Sequence, residues 1–144
     1  MMKNKAGDVI VVSGVLSITK EFTFDSCHYL KMYEGKCANL HGHTYKLQIT
    51  ITGDRLYSNG LLLDFGDLKT MVNEHIIDKV DHKNLSEVFD FNTTAELMVT
   101  YFSDILDDVL NKHNKENNDT LQVSRVRLWE TPTSYATFDK ERVN

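Results

Sequence analysis

Two histidines two positions apart, in Cys37-Ala-Asn-Leu-His41-Gly-His43, are the strongest chemical signal in the sequence. On a strand, residues two apart share a face and stand about 7 Å apart at Cα. Two imidazoles so placed suit a single metal ion, and Gly42 between them leaves space for other groups. His28, in Phe24-Asp-Ser-Cys-His28, is the candidate third ligand, because it shares the parity of Phe22, Phe24 and Ser26. Three neutral imidazoles with one open position make a catalytic zinc arrangement. A bare pair of this kind equally suits surface or capping histidines. Cys37 is open to three readings: a fourth metal ligand, a nucleophile or base, or a small buried hydrophobe. Four closed ligands would make a structural site, whereas three leave a position for substrate. By strand alternation Cys27 faces away from the metal, and it reads as core filler.

Two further constellations carry chemistry. Asp81-His82 falls in an irregular stretch. A carboxylate that orients and charges an imidazole makes a proton relay if a thiol lies within reach. The alternative is a solvent-exposed Asp-His turn. Glu130 ends the run Arg125-Val-Arg-Leu-Trp-Glu130. A carboxylate at a strand end can accept the paired N–H and NH₂ edge of a guanidine-like heterocycle; the alternative is a plain edge charge. His75 and His113 read as structural.

The elements that must position these groups follow from hydrophobic periodicity. Residues 8–24 read as one long bent strand or two short ones, with Gly14 at a bulge. Residues 30–40 read as a loop. Residues 43–52 alternate, with Tyr45, Leu47, Ile49 and Ile51 on one face, as in a half-buried antiparallel strand. Residues 61–65 read as a short extended segment. Leu68, Met71, Val72, His75 and Ile76 mark one face of a first helix. A second helix carries Met98, Phe102, Ile105, Leu106 and Val109. Its N-cap is Thr93 or Thr94, with Glu96 at capping-box spacing from Thr93. Residues 111–119 are wholly polar and read as a loop or a frayed helix end. Residues 121–130 and 133–139 read as two final strands. The predicted fold is a single α+β domain over residues 1–144, with a four-stranded antiparallel sheet, two helices on one face and a flexible N-terminus over residues 1–7.

Composition bounds the function. The 144 residues hold 16 Lys+Arg against 21 Asp+Glu, a net charge of −5. That argues against a phosphate-backbone binder, so no nucleic-acid partner is expected. Two cysteines are too few for a disulfide scaffold. No apolar run reaches the roughly 18 residues of a membrane helix. Lys3 and Lys5 precede an apolar stretch from Val9 to Ile18, but Asp8 interrupts the basic flank and no small-residue cleavage site follows. A cytoplasmic strand is expected there rather than a signal peptide.

Six segments in one order carry a resemblance: Phe24-Asp-Ser-Cys-His28, Cys37 to His43, Leu63-Asp-Phe-Gly-Asp-Leu-Lys69, Asp81-His-Lys-Asn-Leu85, Thr93-Thr-Ala-Glu96 and Trp129-Glu-Thr-Pro-Thr-Ser134. Together they resemble the 6-pyruvoyl-tetrahydropterin synthase family across about residues 18–139. The short spacing from Cys37 to the histidines resembles the branch of 6-carboxy-tetrahydropterin synthases (QueD). In a related branch the Cys is replaced by Glu, and Cys37 argues against it.

The resemblance implies the T-fold, in which sheets of several subunits close into a β-barrel with active sites at subunit interfaces. The chain would then be a homo-oligomer, a hexamer built as a dimer of trimers or a tetramer. It implies that His28, His41 and His43 bind Zn²⁺. Cys37 would be the proton-abstracting thiol and Asp81 and His82 its relay. Glu130 would anchor the pterin ring and join the relay, with Thr94 and Ala95 flanking the ring edge. The implied substrate is a pterin triphosphate, with Lys31, Lys36 and Lys83 as candidate cations for its phosphates. The implied activity is a zinc-dependent carbon–carbon lyase of queuosine biosynthesis. A 6-pyruvoyl-tetrahydropterin synthase and a non-catalytic pterin-binding module with structural zinc are the alternatives. Three positions depart from the family pattern: Thr93 stands where Pro is common, Leu97 where Asn is, and Cys27 where Ala is.

Overall fold

The computed structural model describes Lys5 and residues 9–140. Of the N-terminus expected to be flexible, residues 1–4, 6 and 7 lie outside the described residues. Five strands form one mixed sheet: β1 (Ile10–His28), β2 (His41–Leu56), β3 (Lys83–Asn84), β4 (Gln122–Thr131) and β5 (Ser134–Asp139), in the order β3-β1-β2-β4-β5. The four long strands are antiparallel, as expected. The expected strand count is corrected by β3, two residues paired parallel to the edge of β1 at Ser26 and Cys27. This pairing extends a contact just before it: the His82 backbone N–H donates to Asp25 O at 2.6 Å. His82 has a φ of 55°, which turns the chain into the edge.

The sheet has one apolar and one polar face. Phe22 and Phe24 of β1, Tyr45, Leu47, Ile49 and Ile51 of β2, and Val126 and Leu128 of β4 are buried in one core. The β1–β2 register slips between Val11 and Leu16, the bulge expected at Gly14. A second slip in β4 lets Val123 and Val126, three residues apart, both reach the core.

The helices cover the apolar face. Helix α1 (Phe65–Val72) continues through a π-turn (Asn73–Ile77) into α2 (Asp78–Val80). Asp64 caps α1 by accepting from Gly66 N at 2.7 Å, so residues 61–65 end in a helix start rather than a strand. A single turn, α3 (Leu85–Val88), interrupts the stretch expected to be irregular. The long helix α4 (Ala95–Asn117) buries Met98, Phe102, Leu106 and Leu110. Its cap is Thr94, whose Oγ1 accepts from Leu97 N at 3.2 Å, so Glu96 is one position short of a capping box. Among the described residues no helix is long and apolar enough to cross a membrane.

The polar run 111–119 is mostly helix because its side chains are used internally. The Asn114 side chain brackets the backbone of Leu121, donating to its O at 2.9 Å and accepting from its N at 3.1 Å. His113 is buried, with Nε2 3.0 Å from Asp119 Oδ2. Lys5 is also buried, and its Nζ donates to Leu62 O at 2.7 Å and to Asp119 at 3.1 Å. Burial alone would push the Asp119 carboxyl up, but hydrogen bonds from His113, Lys5 and Thr120 N–H outweigh it and hold it below the usual 3.8.

Because the folded carboxyl titrates lower than the unfolded one, its stabilisation is complete above pH 3.8 and is lost as pH falls through the folded value. Asp119→Asn should cost about 3 kcal/mol in urea unfolding at pH 7, since it leaves Lys5 buried without its counter-charge. The gap to the wild type should narrow below about pH 4. A gap that stays constant with pH would contradict this account.

Candidate metal centre

The register of β1 against β2 builds the site. His28 pairs with His41, and Ser26 pairs with His43, at the end of the hairpin. Directly opposite residues share a face, so the three imidazoles project together on the core side. Their ring centroids are 4.7, 4.8 and 5.3 Å apart. One ligand nitrogen from each lies within 4.8 Å of the other two.

Hydrogen bonds aim two of the rings. His28 Nδ1 donates to Thr93 O at 2.9 Å and to Thr93 Oγ1 at 3.1 Å. His41 Nδ1 donates to Asn39 O at 2.8 Å. A backbone carbonyl can only accept, so each Nδ1 carries the proton and each Nε2 keeps its lone pair. The Nε2 atoms of His28, His41 and His43 are all buried without a hydrogen-bond partner. Buried polar atoms are rarely left so, and three converging orphans fit a divalent cation. Burial drives the His28 imidazole down to about 4, against a small upward pull from its Thr93 hydrogen bond. Burial also lowers His43, with Glu130 opposing it. Both are therefore neutral at pH 7, the form that ligates metal.

Glu130 is on the histidine side, its Oε1 3.5 Å from His43 Nε2. Thr94 and Ala95 begin α4, directly after the Thr93 that holds His28. Cys37 sits in a single 3₁₀ turn, Lys36–Ala38, and its carbonyl accepts from Leu30 N at 2.7 Å. Its sulfur does not join the histidine cluster. Asp81 and His82 pair with each other, Oδ1 to Nδ1 at 3.0 Å. The Asp25 backbone N–H, followed by His82, holds the Asp81 carboxyl below its usual range. His82 lines a groove with Asp25, Cys27, His43, Thr44 and Lys83. Among the described residues no hydrogen bond joins the Cys37 thiol to Asp81 or His82.

Two local expectations need correction. Cys27 does face away from the histidines, but it is half-buried in this groove, its Sγ 3.7 Å from Lys83 O, and is not core filler. Strand alternation gave its direction and could not tell which face was covered. A Cβ on Gly42 would meet only Ser26 O at 3.7 Å, an ordinary contact, so the glycine is not needed for space within the chain. Thr93 is the functional neighbour that residue patterns missed. Its sequence signals were N-cap spacing ahead of Glu96 and a departure from the proline common at that position.

Lys31 and Lys36 stay exposed on the loop before β2, and Lys83 on β3. Asn92 fixes Lys31 from both sides, accepting from its N at 2.9 Å and donating to its O at 3.0 Å. Ser86 does the same for Tyr29. The segment that carries Cys37 is therefore anchored at its base.

Comparison with known proteins agrees with this architecture. The family model described as 6-pyruvoyl tetrahydropterin synthase matches residues 17–141. A Haemophilus influenzae protein named 6-carboxy-5,6,7,8-tetrahydropterin synthase is 38% identical over 151 residues, covering 88% of this chain and 100% of that one. A Bacillus subtilis protein of the same name is 31% identical over 129 residues, covering 84% and 83%. The solved structure of Caenorhabditis elegans 6-pyruvoyl tetrahydropterin synthase superposes with a TM-score of 0.74 at 24% identity, covering 89% of this chain and 97% of that one, which establishes a shared fold. Since the family match runs through all five strands and the whole histidine cluster, the chain belongs to the 6-pyruvoyl tetrahydropterin synthase family.

Proposed function

We propose that the chain is a zinc-dependent 6-carboxy-5,6,7,8-tetrahydropterin synthase. It converts 7,8-dihydroneopterin triphosphate and water into 6-carboxy-tetrahydropterin, acetaldehyde and triphosphate, on the route to queuosine and related deazapurines. The observation that carries the reading is the convergence of three buried Nε2 atoms that make no hydrogen bond. His28, His41 and His43 would hold the ion, with Cys37 outside the ligand set. Three histidines without a fourth protein ligand suit a catalytic site better than a closed structural one. Relatives named as 6-carboxy-tetrahydropterin synthases support this branch. The proposed setting is the cytoplasm, where both thiols stay reduced.

When bound, zinc supplies Lewis-acid polarisation of the substrate's side-chain oxygens. The chain's own residues do the rest. Glu130 accepts the N–H edge of the pterin and sets the ring so that its side chain meets the histidine cluster. Thr94 and Ala95 flank that edge at the start of α4. The Cys37 thiolate takes a proton from the substrate side chain. Asp81 orients His82, and the pair exchanges that proton with the thiol and solvent.

The Asp81–His82 pair makes no hydrogen bond to the Cys37 thiol among the described residues, and this gives the proposal a quaternary requirement. A relay with no contact to the thiol of its own chain serves most simply a thiol on another copy. The proposed active site is therefore shared between subunits of a homo-oligomer, a hexamer or a tetramer closed through its sheets.

Incubating the zinc-loaded protein with 7,8-dihydroneopterin triphosphate should release acetaldehyde, and a chelator should stop it. Triphosphate without acetaldehyde would indicate a 6-pyruvoyl synthase instead. Cys37→Ala should keep zinc and pterin binding while turnover falls roughly 10²–10⁴-fold. Near-wild-type turnover would refute its role. Mixing inactive Cys37→Ala with inactive His82→Ala after subunit exchange should restore part of the activity. No recovery from verified mixed oligomers would place both groups in one subunit's site.

A further inference from the structure

We propose that the Thr93 hydroxyl is a positioning group for the metal centre, gripping the His28 Nδ1–H jointly with the Thr93 carbonyl. The inference rests on the histidine cluster being a metal site, as proposed above. Nδ1 lies 2.9 Å from the carbonyl oxygen and 3.1 Å from Oγ1, so two acceptors share one N–H. A single acceptor lets an imidazole pivot about that contact. Two acceptors from one residue narrow the pivot and so fix the direction of Nε2 on the opposite side of the ring.

The grip has a rigid base. Thr93 is 1% exposed and cannot swing toward solvent. On one side Asn92 is tied to both backbone groups of Lys31. On the other, Thr94 caps α4 through Leu97 N. Three consecutive residues thus lock the Cys37 loop, the His28 ring and the long helix. The hydroxyl is also an expensive group to bury, and it hydrogen-bonds the imidazole. A valine would fill the same space without it.

The test uses the full chain and Zn²⁺ itself, in competition with a chromophoric chelator. Thr93→Val and Thr93→Ala should each weaken zinc binding roughly tenfold, the lower end of the effect of losing a partner behind a ligating histidine. Thr93→Ser keeps the hydroxyl and should stay within about twofold of the wild type. Unchanged affinity in the valine and alanine variants would overturn the role of the hydroxyl. So would an equal loss in the serine variant, because the methyl group would then be what matters. If the valine variant does not fold, the alanine and serine variants decide alone. A wild-type chain that takes up no zinc would overturn the metal centre itself, an outcome distinct from a zinc-binding chain indifferent to Thr93.

Discussion

Three imidazoles must point their unprotonated nitrogens at one small volume, inside protein and without hydrogen-bond partners. This constraint organises the rest of the site. It requires the neutral tautomer at each ring, which burial enforces for His28 and His43. It requires the far nitrogen to be held, which Thr93 does for His28 and Asn39 does for His41. It requires a rigid platform, which the paired ends of β1 and β2 supply. Buried orphaned nitrogens cost stability in the empty chain. The neighbouring core, with Tyr45 stacked on Phe24 at 4.8 Å, must carry that cost.

The fold divides the chemistry between the apolar face of the sheet and its β1 edge. The histidines and Glu130 share the apolar side, where low dielectric strengthens every interaction with a charged or polar ligand. Asp81 and His82 precede β3 and bond the backbone of Asp25 at the edge of β1, with His82 lining the adjoining groove. That edge is where another copy of the sheet has to meet the first if the proposed relay is to reach a thiol.

Much of this was legible in the residues because strand parity is strict. The alternation of Phe22, Phe24, Ser26 and His28 puts His28 on the core face, and two-residue spacing puts His41 and His43 there too. The apolar stripe of β2 followed from the same rule, and the irregularity around Gly14 from a glycine inside a β-branched run. What parity could not supply was long-range partnership. Nothing local says that Lys5, in a charged N-terminal run, folds 114 residues along the chain onto Asp119. The same partnership turns a polar tail into the last turns of α4. The two-residue strand β3 is too short for any periodicity. Asp81-His82 is visible as a pair, but adjacency carries no information about which face of a sheet it will serve. Thr93 was visible only as an N-cap candidate and an oddity, because the role proposed for it depends on a carbonyl and a hydroxyl meeting a ring 65 residues away.

X-ray absorption at the zinc edge of the metal-loaded full chain tests the central claim most directly. Three imidazole nitrogens at about 2.0–2.1 Å with one further oxygen ligand, and no sulfur, are expected. A sulfur shell at about 2.3 Å, or fewer than three imidazoles, would contradict it.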